Sequence, residues 1–263
     1  LGAVIWLLFF IGIFCVKKPI KWVLVSLVCF SFILAWGKYF PFITNLFFDY
    51  FPLYNKFRTV SMILIIAQFA VPFLAILGVH HILYSDMRIQ MKKKIIFKSA
   101  LLLISISIFF LLFQDILFNF QSQSDTRFPS WFINALIEDR SNLFRLDIIR
   151  SLFFVSISTL LLYVMIQRDI RMSPIWIYAL SLLVILDMWF INKRYLNADD
   201  FIQKADLEVP FKLEEYDKII HEDTTIYRVY NLNERLDQGA RTSYFHHSLG
   251  GYPGAKLVKY LDL

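Results

Sequence analysis

Asp187 is the acidic side chain with the strongest claim on chemistry, because it is the one carboxylate inside any of the chain's long apolar runs. A carboxylate at such depth costs several kcal/mol unless a cation or a wet cavity meets it. Asp187 therefore either lines a functional cavity or pairs with an outer arginine or with Lys193. Asp147 and Arg150 stand three residues apart and would share a helix face, where they can pair. Arg150 falls at the mouth of an apolar run, so a partner or a polar cavity is expected there too. Lys56 and Arg58, close to Asp49, Tyr54 and Asn55, are placed where a lipid phosphate would lie. An arginine can grip a phosphate with two parallel hydrogen bonds, though simple anchoring to lipid heads explains the same residues. His246 and His247 invite a metal reading, but adjacent histidines point apart on a strand and about 100° apart on a helix. No second metal-ligand pair follows at suitable spacing, so no metal is assigned. The GGYPG run at 250–254 is neither a phosphate loop nor a dinucleotide fingerprint, and it reads as a turn.

Six apolar stretches must position these residues: 1–16, 20–37, 60–79, 95–113, 151–167 and 175–191. At about 1.5 Å per residue, 17 to 20 residues cover about 25–30 Å, the thickness of one bilayer core. A hydrophobic content of 58% with 18% aromatics is too apolar for an ordinary soluble domain. The expected fold class is an α-helical polytopic membrane protein with about six transmembrane helices, residues 1–191, followed by an extracytoplasmic α+β segment, residues 192–263. Both cysteines lie inside apolar runs at different depths, so a disulfide is not expected. Residue 1 falls inside a helical pattern and residue 263 ends one, which suggests a piece of a longer polytopic protein.

Charge patterning gives the expected topology. The connections 17–21, 80–98 and 168–174 hold ten Lys/Arg in 31 residues, while 38–59 and 114–150 hold seven in 59. Retention of basic residues on the cytoplasmic face puts the N-terminal end and everything after Asn192 outside. The net charge of +6 is then a property of membrane-flanking loops and does not indicate nucleic acid. Trp22, Trp36, Trp176 and Trp189 sit near span ends as interface anchors. The outer connection 38–59 is crowded with aromatics and should lie along the interface. Residues 130–150 present Trp131, Ala135, Leu136, Leu143 and Leu146 as an apolar stripe, which predicts an interfacial helix leading into the fifth span. In the polar segment, residues 223–232 (DTTIYRVYNL) alternate as a strand would, a loop is expected at 239–254, and a helical pattern resumes at 255–263.

Four stretches taken together resemble the YfhO-like family of bacterial multi-pass membrane proteins. They are PLYNKFRTVSM (52–62), LIEDRSNLFRLDIIRSL (136–152), LDMWFINKRYLNADDF (186–201) and residues 227–263, above all TSYFHHSLGGYPGAKLVKYLDL. That family looks like a relative of the GT-C glycosyltransferases. The resemblance implies a bacterial inner-membrane protein that takes a sugar from a polyprenyl-phosphate carrier and transfers it to an envelope glycan or lipid on the outer face. It further implies that Lys56, Arg58, Arg145 and Arg150 bind the donor's phosphate, with Asp49, Asp147 and Asp187 as supporting acids. Arg241, Tyr244, His246 and His247 would belong to an acceptor-holding or site-closing segment. The family's catalytic acid is expected in a first outer loop upstream of residue 1, and a divalent metal enters by family analogy alone; no cofactor is identified from the residues. Competing readings are a transporter or flippase for a lipid-linked substrate, and a non-catalytic envelope assembly protein. Paired discontinuous helices would favour transport, but Gln68 and Pro72 are the only comparable mid-span features and no repeat accompanies them.

Overall fold

No glycine or proline interrupts residues 130–167, and these residues form one unbroken helix of 38 residues, about 57 Å long at 1.5 Å per residue. The computed structural model describes residues 1–52, 54, 60–168, 174–201, 203, 212–235 and 239–251. Two compact units emerge, Leu1–Arg194 and Tyr195–Leu263.

The first unit contains α1 (Ala3–Cys15), α2 (Ile20–Ala35), α3 (Pro41–Tyr50), α4 (Ile65–Tyr84), α5 (Ile89–Leu117), α6 (Ser130–Gln167) and α7 (Pro174–Asn192). Single 3₁₀ turns at Gly37–Tyr39, Val60–Leu64 and Gln123–Arg127 join some of them. Four helices are long and apolar enough to cross a membrane: Ser61–Tyr84, Ile89–Leu117, Ser130–Gln167 and Ile175–Asn192. The remaining two expected spans, α1 and α2, are apolar but have 13 and 16 residues. They reach about 20 and 24 Å, short of a bilayer core of about 30 Å. The architecture is that of a helical membrane protein, and its outer surface agrees. Trp22, Phe69, Ile116 and Leu160 are 63%, 67%, 80% and 62% exposed, a degree of apolar exposure that calls for hydrocarbon surroundings.

Two expected connections shorten. The connection expected at 80–98 shrinks to the few residues between α4 and α5, because both helices continue past the apolar runs. Lys92 makes that possible: its side chain is fully buried and its ammonium donates to the Ser85 carbonyl at 2.7 Å. The connection expected at 114–150 likewise reduces to 118–129, and the interfacial helix is simply the first part of α6. In the first outer loop, Pro41 starts α3 at its first turn, where a missing N–H costs nothing. α3 buries none of its residues, and Phe42 and Tyr50 are 75% and 81% exposed.

α1 is the hub of this unit. It is apolar all round, and Val4, Leu7, Phe9, Ile11 and Cys15 are buried against α4, α5, α6 and α7. Its closest neighbour is α4, across Gly12 and Gly78. A Cβ built on Gly78 would lie 2.6 Å from the Gly12 nitrogen, so the two backbones touch. Small residues at such a crossing let dispersion act between main chains where lipid supplies no hydrophobic drive.

In the second unit the described residues form a 3₁₀ turn at Ala198–Asp200 and two short helices, α8 (Glu215–His221) and α9 (Arg241–Phe245). The expected α+β character is not present among them. The alternating stretch 223–232 contributes one isolated parallel bridge, Val229 to Ser248, closed by Val229 N–H to the His247 carbonyl at 2.8 Å and Leu249 N–H to the Val229 carbonyl at 2.9 Å. Alternation makes a strand only where one face is buried against a neighbour. Here Ile226 is fully exposed, and side-chain turns at Asp223 and Asn231 accept from the N–H two residues on and bend both ends. The expected loop at 239–254 contains α9, and the helical pattern at 255–263 lies outside the described residues.

Candidate functional site

Asp187 on α7 is completely buried, and two elements meet on its carboxylate. Oδ1 accepts from Nη1 of Arg150 on α6 in a short contact, and Oδ2 accepts from the Val4 N–H at 3.1 Å. Val4 lies in the first turn of α1, where N–H groups have no partner within the helix and the dipole favours an anion. Asp187 therefore neutralises a half-buried arginine and caps α1 at once. Gly2 allows this approach, since a Cβ there would stand 2.3 Å from Oδ2. Arg150 also donates to the Asp187 carbonyl at 3.1 Å and reaches Asp147 at 3.4 Å, while Arg194 pairs with Asp147 at 2.9 Å. Two carboxylates and two guanidiniums thus close a neutral network.

Arg145 is placed differently. Five residues before Arg150, it is turned about 140° around the helix axis. With its amide oxygen turned towards the guanidinium, buried Gln114 of α5 accepts from Arg145 Nε and Nη2 at 3.2 and 3.0 Å. No carboxylate pairs with Arg145 among the described residues, and its side chain is exposed. Arg145 and Arg150 consequently do not converge on one ligand. Asp49 is an exposed side chain of α3. Lys56 and Arg58 lie outside the described residues.

A pair that sequence reasoning missed holds the α5–α6 connection. Asp125 accepts from Arg140 Nη1 and Nη2 at 2.5 and 3.0 Å, and its Oδ2 accepts from the Ser122 N–H at 2.7 Å. Arg140 Nη1 also donates at 2.9 Å to the carbonyl of Phe120, a non-glycine residue held at φ +50°. The hydrogen bonds from Arg140, then that from Ser122, bring the Asp125 carboxyl from its ordinary 3.8 down to about 2. Because the folded value lies below the unfolded one, the stabilisation is complete above about pH 4 and disappears as pH falls towards 2. Pepsin cleavage at Phe118 and Phe120 should rise over that interval, and Asp125→Asn should give the high rate at both pH values. A cleavage rate with no step in wild type would count against the pair as the clamp.

The second unit carries a built cluster. Glu214 and Asp217 form the capping box of α8, in which Asp217 Oδ2 accepts the Glu214 N–H at 3.0 Å. The same carboxylate, 1% exposed, accepts from Arg241 Nη2 at 2.5 Å and from His246 Nε2 at 2.9 Å. Burial alone would raise the Asp217 carboxyl, but the hydrogen bonds from Arg241, the Glu214 N–H and His246 outweigh it and hold it well below the ordinary range. Arg241 stacks over Tyr216 and Phe245, with its guanidinium carbon 5.3 and 5.1 Å from the ring centres. Glu234 accepts the N–H groups of Arg241 and Thr242 at 2.9 and 3.1 Å, together with the Thr242 hydroxyl. Burial opposes ionisation there too, and the Thr242 and Arg241 hydrogen bonds prevail, so the Glu234 carboxyl is lowered. Gly239 is needed for this contact, because a Cβ would fall 1.9 Å from Glu234 Cγ.

These side chains border an open cavity of about 650 Å³, lined also by Tyr230, Asn231 and Asn233. Of the expected segment, Arg241 and His246 belong to the cavity wall. His247 points away and is exposed, as adjacent histidines must, and Tyr244 is 64% exposed against Phe245. No group of three or more metal-ligating side chains is assembled among the described residues. Asp217, Glu234 and Tyr216 were not singled out from the sequence. The Glu214-x-x-Asp217 spacing was the available signal, as a capping box before a short helix. No protein family, curated protein or solved structure matches the chain.

Proposed function

We propose that this chain is a membrane glycosyltransferase-like protein of the bacterial inner membrane. It uses a polyprenyl-phosphate-linked sugar for envelope glycosylation on the outer face, with the second unit extracytoplasmic. The reading rests on the four stretches that resemble the YfhO-like family and on the uneven distribution of Lys and Arg between connections. The observation that carries it is Arg145, an exposed guanidinium whose partner among the described residues is the neutral amide of Gln114. It precedes the apolar part of α6 by about 9 Å at helical rise, the depth of a lipid phosphate when that part lies in hydrocarbon. A guanidinium there offers two parallel N–H bonds to the phosphate, which gains negative charge as the sugar leaves. Arg150, already neutralised by Asp187, positions helices and adds little to the field at the phosphate. No described carboxylate is assigned as the catalytic base, since Asp187 is committed to Arg150 and Val4.

The test is binding of a polyprenyl-phosphate sugar to the protein in lipid nanodiscs, followed by sugar release. Arg145→Glu should weaken donor binding by about tenfold or more, equivalent to about 1.4 kcal/mol, and abolish release, while Arg145→Lys retains part of both. Unchanged affinity in Arg145→Glu would remove the reading. Movement of the intact carrier across the bilayer without sugar release would replace it with a flippase.

A further inference from the structure

We infer that the groove between α4 and α7 seats one acyl chain of an anionic phospholipid, whose phosphate is held at the end where Lys17, Lys18 and His80 stand. The inference goes beyond the transferase reading and depends only on the helices lying in a bilayer.

The groove follows from how the helices pack. α4 lies along α1 at Gly12 and Gly78, and α7 packs on α1 and α6, while α4 and α7 scarcely touch one another. The gap between them is an open cavity of about 500 Å³. Ile5 and Leu8 of α1 and Met165 of α6 form its floor; its walls are α4 from Pro72 to Tyr84 and α7 from Ile177 to Ile185. Ser181 apart, the lining is apolar until His80 and Tyr84, whose rings lie 5.0 Å apart. Leu8 and Met165 are buried, whereas Ile76, Ile177 and Ile185 are exposed along the rims.

Length selects the shape of the occupant. At helical rise, the α4 wall from Pro72 to Tyr84 is about 18 Å long. A bilayer core is about 30 Å thick, so the groove covers roughly one leaflet. A spanning helix of a second copy needs nearly twice that length, but an acyl chain of one leaflet fits. At the far end Asp187 accepts the Val4 N–H, which joins α7 to α1 beside Ile185 and Ile5 and limits the groove there.

Charge selects the headgroup. α1 and α4 run in the same direction, since Gly12 meets Leu74 and, three residues on, the Cys15 thiol meets the Gly78 carbonyl. Lys17 and Lys18 therefore stand level with the His80–Tyr84 end of the groove, and their charges act on the adjoining His81. Both lysines are exposed. The three connections on this side hold ten Lys/Arg against two acidic residues, Asp86 and Asp169. A zwitterionic headgroup leaves that excess unanswered, and a phosphate of net negative charge answers it.

The experiment is native mass spectrometry of the full chain in detergent, titrated with phosphatidylglycerol and with phosphatidylcholine of the same acyl chains. One phosphatidylglycerol should be retained with a preference of about tenfold or more over phosphatidylcholine. Ser181→Trp fills the groove from an exposed position and should abolish this retention. Leu112→Trp, 70% exposed on α5, should leave it unchanged. Lys17→Gln/Lys18→Gln should remove most of the preference and leave phosphatidylcholine binding as it was. The unfolding midpoint in lipid-free detergent reports whether a variant has kept its fold. Should Ser181→Trp fail there, Ile185→Phe, also exposed on the rim, decides in its place. Equal retention of the two lipids by the wild type overturns the inference. So does retention that survives the groove-filling variant, or a preference that survives loss of both lysines. A lipid-free dimer that Ser181→Trp separates also overturns it, and would make the groove an interface between copies.

Discussion

Asp187→Ala is expected to destabilise the membrane unit by about 3–5 kcal/mol, the usual cost of leaving a buried charge without its partner. The carboxylate is 0% exposed, and its removal strands an Arg150 side chain that is itself only 17% exposed. It also uncaps α1 at the Val4 N–H, and α1 is the helix on which the rest of the unit packs. Arg150→Met should also be destabilising, because the fully buried Asp187 carboxyl would lose its guanidinium partner. The double variant Arg150→Met/Asp187→Leu should recover most of the loss, since packed apolar side chains often replace a buried pair at little cost. The measurement is reversible unfolding by denaturing detergent in mixed micelles, with the four proteins compared at one lipid composition. A double variant no better than the singles would mean that the pair does not act as a unit. A stable double variant would establish the pair as structural.

Gly78→Val should be nearly as damaging, for a steric reason. A Cβ at that position falls 2.6 and 2.7 Å from the Gly12 nitrogen and Cα, and 3.0 Å from the Leu8 carbonyl oxygen. All three are backbone atoms of α1, so no side chain can swing aside and the helices must separate. Overpacking of this kind costs about 1–3 kcal/mol or more, and the better helix propensity of the new residue, about 1 kcal/mol at most, does not offset it. Separation would also stretch the contact of Cys15 Sγ with the Gly78 carbonyl, 3.6 Å as it stands. Ile76→Ala, two residues away but 67% exposed, serves as the control and should change the unfolding midpoint little. Equal midpoints for Gly78→Val and Ile76→Ala would show that α1 and α4 are not locked at this crossing.

The helices were legible because their signal is local. Runs of apolar residues at 95–113, 151–167 and 175–191 reappear inside α5 to α7, and the run at 60–79 spans a 3₁₀ turn and most of α4. Boundaries were less legible wherever polar residues continue a helix. The lysines at 92–94 read as a loop, yet one of them is buried inside α5, and residues 130–150 read as an interfacial helix ahead of the fifth span, yet nothing separates the two within α6. The strand at 223–232 failed for the complementary reason, because alternation describes a face and does not supply the neighbour that would bury it.

Pairing at one helix spacing, as in Asp147 and Arg150, could be read directly from the sequence, and so could the divergence of His246 from His247. The partners that decide the chemistry could not. Asp187 meets Arg150 across 37 residues, Arg140 meets Asp125 across 15, and His246 meets Asp217 across 29, each on a different element. Residue order by itself determined that this is an apolar, helical chain with a polar C-terminal part, because hydrophobic burial and helical period act over a few residues at a time. Tertiary structure alone decided which charges are spent on one another and which, like the exposed Arg145 guanidinium beside Gln114, meet no carboxylate among the described residues, because an ion pair is a property of distance in space.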